Sequence, residues 1–250
     1  MMSWSTERVF CVTSDVDWAS ESVVESAQAI LEQFALPVTY FVTHESPLIS
    51  KLAAADAVQL GIHPNFLPDS SHGGTFRDVL DTCLRLAPGA RCWRAHRYFE
   101  VDDTVDLLMQ SGLRYDSNLC TLLEQDLRPF RHRSGSVRFP IFLEYGAYLR
   151  HQLDLYARPE AVFRSATGLF ILNVHPIHLA LNSPTSAFAR KVKDGCSREQ
   201  YANLDHSDLR RLRHAGRGIA DFVRDMLEHV AVTAATVCTL EGLYEEYVGV

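Results

Sequence analysis

Short apolar runs recur along this chain, and between them the spacing of apolar residues changes period. The runs VFCVT (9–13), VTYFVT (38–43), AVQLGI (57–62), CWRA (92–95), LRYDS (113–117), VRFPIF (137–142), FILNV (170–174) and TVCTL (236–240) have the length and composition of buried strands. Between the first two, Val23, Val24, Ala27, Ile30, Leu31 and Phe34 repeat at helical intervals, and Val105, Leu107 and Leu108 predict another helix ahead of Leu113. Strands that alternate with helices pair in parallel, because each helix carries the chain back across the sheet. Seven or eight such units in 250 residues predict an α/β fold, a distorted (β/α)7–8 barrel of TIM-like form. No Pro/Gly-rich linker divides the chain, so residues 1–250 are expected to form a single domain.

Charge and composition narrow the function. The net charge is −7, and basic residues cluster only locally, in RPFRHR (128–133) and LRRLRHAGR (209–217). Nucleic acid is therefore not an expected partner, and the second cluster is expected to be a solvated helix face. The N-terminus MMSWSTERVF has no apolar signal core, and no run reaches the ~18 residues of a membrane span, so a cytoplasmic protein is expected. Six cysteines (11, 83, 92, 120, 196 and 238) are scattered without a CxxC pair. Cys11, Cys92 and Cys238 lie in strand-like runs as small hydrophobes, which fits a reducing compartment.

In a parallel barrel, chemistry belongs at the C-terminal ends of the strands. Asp15 and Asp17 follow the first run, His63 the third, Arg94 and His96 the fourth, Asp116 the fifth and His175 the seventh. In extended chain, residues two apart point the same way, so Asp15 and Asp17 can share one site; the alternative is that they cap the helix beginning near Ser20. Aspartate and histidine ligands suit Zn²⁺, or another divalent ion, with a position left for water. Asp17 is then a ligand, His63 a second ligand, Asp15 the base and His175 the acid.

These motifs resemble the polysaccharide deacetylases of the NodB-homology type, also called carbohydrate esterase family 4. Ser14-Asp15-Val16-Asp17-Trp18 is similar to that family's carboxylate pair, whose first member is the base and whose second binds metal. Gly61-Ile62-His63 resembles the start of its His-x-x-x-His motif, Arg94 in CWRAHRYF its base-pairing arginine, and Leu172-Asn173-Val174-His175 its final Leu-x-x-His motif. The resemblance covers about residues 9–180 and implies a barrel hydrolase that removes N-acetyl groups from an amino sugar of a polysaccharide or its precursor.

The sequence departs from the family twice. Val16 separates carboxylates that are usually adjacent, and Leu67 stands where the second histidine of the motif belongs. Pro64 and Pro68 also disfavour the helical turn that would bring such a pair together. The loop is expected to curl back and present His72 as the third ligand, with His96, His178 or an open position as alternatives. Trp18, Asn65, Phe66, His96, Asp116 and His178 are candidate substrate contacts, Tyr98 and Phe99 further cleft aromatics, and Asp116 also a possible partner of the Arg94–Asp15 pair. Two competing functions are a carbohydrate-binding barrel that has lost catalysis and a C–N hydrolase acting on a small cyclic amide.

Overall fold

The computed structural model describes residues 6–234 and 236–249. Ten strands are present among them: β1 Arg8–Asp15, β2 Val38–Val42, β3 Val58–Ile62, β4 Cys92–Trp93, β5 Tyr115–Asp116, β6 Phe130–Arg131, β7 Val137–Arg138, β8 Leu143–Glu144, β9 Gly168–Val174 and β10 Thr236–Val237. They form one sheet in the order β6-β7-β5-β4-β3-β2-β1-β9-β8, with β10 beside the start of β1. Every pair is parallel except the β6–β7 hairpin.

The stretch 137–144 curls this sheet into the expected distorted β/α barrel. Its start, β7, pairs with β5, and its end, β8, pairs with β9. Between the two, Ile141 N donates to Leu119 O at 2.8 Å and Phe142 N donates to Ile171 O at 3.0 Å. One piece of chain thus touches both edges of the sheet.

Alternation along the strands sorts their side chains. Phe10 and Val12 join the large cluster between sheet and helices, whereas Val9 and Cys11 join Phe41, Cys92, Tyr115, Phe139, Leu169 and Ile171 in a second cluster. This second cluster fills the bore. Leu240 and Leu243, from the helix Leu240–Val248, complete it at the N-terminal ends of the strands, and Tyr244 stacks on Tyr115 at 4.5 Å. TVCTL is therefore not the full strand expected: only Thr236–Val237 pair, and Thr239 caps the plugging helix by accepting from Gly242 N.

The helix after β1 follows its periodicity. Ser20 caps Glu21–Leu31 by accepting from Val23 N, and Val23, Val24, Ala27, Ile30 and Leu31 form its buried stripe. The helix Asp102–Gln110 likewise buries Val105 and Leu108. The basic stretch 209–217 is not one solvated face. Its helix, His206–Leu212, ends before Arg213, whose Nη1 donates to the carbonyls of Leu179 and Ala180. No helix among the described residues is long and apolar enough to cross a membrane.

Candidate active site

The residues that face the bore change from apolar to polar toward the C-terminal ends of the strands. Val9 and Cys11 are followed on the same face by Thr13 and Asp15, and Leu169 and Ile171 by Asn173 and His175. Arg94, fully buried just past β4, ties these rows together. Its Nη1 donates to Asp15 Oδ1 at 2.8 Å, Thr13 Oγ1 at 3.0 Å and Asn173 Oδ1 at 2.5 Å. Its Nε and Nη2 donate to Ser117 O and Ser117 Oγ, both at 2.7 Å. The guanidinium lies over the Phe41 ring at 4.3 Å. Gly61 makes room for that ring, since a Cβ there would come within 2.8 Å of it.

Asp15 has both carboxylate oxygens engaged, because Asn173 Nδ2 donates to Oδ2 at 2.8 Å. Burial alone would raise its pKa; the charge of Arg94, helped by His63 and His175, outweighs burial and holds the carboxyl below the usual range. Asp15 is therefore an oriented carboxylate, held toward its ionised form, beneath the mouth of the barrel.

Asp17 reaches the same place by a different route from the one strand alternation predicts. β1 ends at Asp15, and Asp17 and Trp18 both adopt left-handed backbone, with φ of 48° and 55°. Val16 N donating to Phe41 O, Trp18 N to Thr43 Oγ1 and Ala19 N to Val16 O fix this tight turn. Consecutive non-glycine residues in this region are strained, and such strain is commonly held at functional sites. The carboxylate of Asp17 then lies 3.2 Å from His63 Nε2 and 3.1 Å from His96 Nδ1, both measured to Oδ1. Burial opposes its ionisation, but the contacts from His63 and His96 win and hold it well below the usual range.

The donor atoms of Asp17, His63 and His96 all lie within 4.8 Å of one another. Two ligands of a tetrahedral ion, each ~2.1 Å from it, are ~3.4 Å apart, so this set fits a divalent cation in spacing and in chemistry. His96 thus occupies the place expected for His72. His72 is a buckle between loops: Asn65 N–H donates to its Nδ1 at 3.2 Å, which leaves the proton on Nε2, 2.7 Å from Thr43 O. With both ring nitrogens engaged by backbone, His72 has no lone pair for a metal.

His175 caps the helix Pro176–Leu181 and stands across the mouth from His63. Its Nε2 is 3.7 Å from Asp15 Oδ2 and 3.6 Å from Asp17 Oδ2, and its Nδ1 is 3.2 Å from Glu144 Oε1. Burial would favour the neutral ring, but Glu144, with Asp17 and Asp15, raises its pKa to about 10. Glu144 is itself held by Gly146 N and Ala147 N, each donating at 2.6 Å. Glu144 is not among the residues expected from the sequence, although a carboxylate ending an apolar run just before the helix Tyr145–Arg150 is a signal of the same kind as Asp15. Asn173 was missed inside a motif already quoted.

Other candidate contacts are placed differently. Asp116 is wholly buried, bonded by Arg138 Nε at 2.7 Å, Ser136 Oγ at 2.9 Å and Asn118 N at 3.1 Å, so it neither faces the mouth nor partners Arg94. Phe66 is buried against the half-buried rings of Phe76 and Phe99, and Asn65 braces its own loop by accepting from Leu67 N. Trp18 is half-buried, its ring 5.3 Å from those of both His72 and His96. The ring of His178 lies 5.9 Å from that of His175, and burial together with the His175 charge lowers its pKa to about 4.

A search among curated proteins gave no significant match. Among solved structures, WbmS of Bordetella bronchiseptica, provisionally assigned as a polysaccharide deacetylase involved in O-antigen biosynthesis, is 28% identical with a TM-score of 0.78; the match covers 90% of this chain and 91% of that one. The peptidoglycan deacetylase PdaC of Bacillus subtilis, as its D285S mutant, has a TM-score of 0.50 at 9% identity over 99% of this chain and 95% of that one. The peptidoglycan N-acetylglucosamine deacetylase Bc1960 scores 0.50 at 10% identity over 96% and 89%, and at these identities the two share the fold alone. The profile of the WbmS-like polysaccharide deacetylases matches residues 12–193, so the chain belongs to that family, within the NodB-homology polysaccharide deacetylase superfamily.

Proposed function

We propose that the chain is a metal-dependent hydrolase that removes the N-acetyl group from an amino sugar of a surface polysaccharide or its precursor. One observation carries this reading: the Asp15 carboxylate and the His175 imidazole stand 3.7 Å apart beside the Asp17–His63–His96 cluster. Family membership supports deacetylation, and the assignment of WbmS to O-antigen biosynthesis supports a surface polysaccharide as the destination.

Asp17, His63 and His96 would hold the cation, Zn²⁺ being the best chemical fit to this donor set. Such an ion, when bound, supplies positive charge that polarises the acetyl carbonyl and acidifies water. The remaining chemistry belongs to the chain. Asp15, kept ionised and aimed by Arg94 and Asn173, takes a proton from the water that attacks the carbonyl carbon. As the C–N bond breaks, His175 gives its proton to the departing nitrogen, leaving acetate and a free amine. Glu144 positions that imidazole and favours its protonated form.

The test is to measure bound metal in the purified protein and then acetate release from a panel of N-acetylated sugars, with and without chelator. Chelator-sensitive acetate release is expected. Bound metal with no acetate released from any of the sugars would sink the substrate assignment, and absence of both would sink the enzyme.

A further inference from the structure

A second concave region shares no residue with the strand-end cluster. It is a cleft of about 660 Å³ lined by Arg210, Arg213, Arg217 and Arg224 together with Asp221 and Asp225. Each aspartate already has an arginine: Arg217 pairs with Asp225, and Arg224 Nη1 lies 3.4 Å from Asp221. Asp221 is further committed, accepting from Gly218 N at 3.0 Å and Asn182 Nδ2 at 2.9 Å. Arg210 and Arg213 form no salt bridge among the described residues, although the Asp221 charge reaches Arg213, and four arginines against two aspartates leave the lining an excess of positive charge in a chain of net charge −7.

The fold holds these charges in place. Arg213 Nη1 is fixed by the carbonyls of Leu179 and Ala180 at 3.0 and 2.7 Å, which leaves Nε and Nη2 available. Burial and the neighbouring Arg224 charge work against protonation of Arg213, and the Asp221 charge offsets them only in part. Like charges gathered in a concavity raise the local potential and attract an anion, and planar guanidinium forks match the oxygens of a phosphate. We infer that this cleft is a binding site for a phosphate or diphosphate group. It lies at the C-terminal end of the helix Pro176–Leu181, whose N-cap is His175, so about 10 Å of helix separates the two sites.

The test is calorimetric titration of the full chain with inorganic pyrophosphate at low and high salt. Arg210→Glu is the main variant, because the exposed Arg210 side chain makes no ion pair or hydrogen bond among the described residues, so that its replacement is expected to leave the fold intact; Arg128→Glu, outside the cleft lining, is the control. Pyrophosphate should bind wild type and control alike, more weakly at high salt, and about tenfold or more weakly to Arg210→Glu. Absence of binding at millimolar pyrophosphate, or equal affinity in Arg210→Glu, would overturn the inference. Two further arms identify the source of the group. Tighter binding of uridine diphosphate than of pyrophosphate assigns a soluble nucleotide carrier, whereas Arg210-dependent sedimentation with phosphatidylcholine vesicles containing phosphatidic acid assigns a lipid headgroup. Acetate release is not the readout, so failure of the proposed hydrolysis would leave this test intact.

Discussion

Asp15 is bonded through both carboxylate oxygens, to Arg94 and to Asn173, whereas Asp17 faces two imidazoles. Replacing each should therefore have a different effect. Asp15→Asn is expected to keep bound metal, because the Asp17–His63–His96 cluster is untouched, and to lose ~10²–10⁴-fold in kcat for acetate release, because the proton acceptor is removed; undiminished turnover would refute its role. The two histidines that compete for the third ligand position separate in the same way. His96→Ala should lose the metal, measured by elemental analysis, while His72→Ala should retain it and instead lower stability by ~1–3 kcal/mol, because two buried backbone groups are left unpaired. At this scale the sequence is readable where a residue continues a strand and opaque where a loop decides. Asp15, His63, Arg94 and His175 could be placed at one end of the barrel from the strand pattern alone. The exchange of His96 for His72 depends on which loop nitrogen finds which backbone group, and no periodicity encodes that.

The elements show the same division. Long strands such as β1 and β9 stand out because both of their faces are buried, and their runs stay apolar until the polar residues at their C-terminal ends. The two-residue strands β7 and β8 merge in the sequence into one run, VRFPIF and beyond, although they pair with opposite edges of the sheet. β3 and the helix Ile219–Thr233 each carry a testable consequence. In β3, Gly61→Ala would push a methyl into the Phe41 ring that supports Arg94, an overpacking expected to cost ~1–3 kcal/mol in denaturant unfolding. At the start of the helix, Asp221 has its carboxyl held below the usual range; burial opposes this, and the bonds from Gly218 N and Asn182 with the nearby arginines outweigh it. A depressed carboxylate stabilises the fold above its unfolded pKa of ~3.9 and loses that contribution as pH falls through its lower folded value. The stability curves of wild type and Asp221→Asn should accordingly lie apart near neutrality, wild type the more stable, and converge below about pH 4. A constant gap would show that the charge plays no part.

For the whole molecule, the bore runs from an apolar floor, plugged by Leu240 and Leu243, to a polar rim where His63, His96 and His175 meet two carboxylates. A cation bound at that rim favours the folded state by mass action, by ~2.7 kcal/mol at a hundredfold excess over its Kd. Chelation should thus lower the Tm, and readdition of Zn²⁺ should restore it; a Tm indifferent to chelator would place any metal elsewhere.

Glu144 sits on the stretch that seals the sheet, only a few residues beyond the crossing from one edge to the other. His175 is thereby tethered to the fastener of the barrel. Any momentary unzipping of that fastener slackens the hold on His175, so a substitution that loosens the joint should blunt turnover well before it melts the protein.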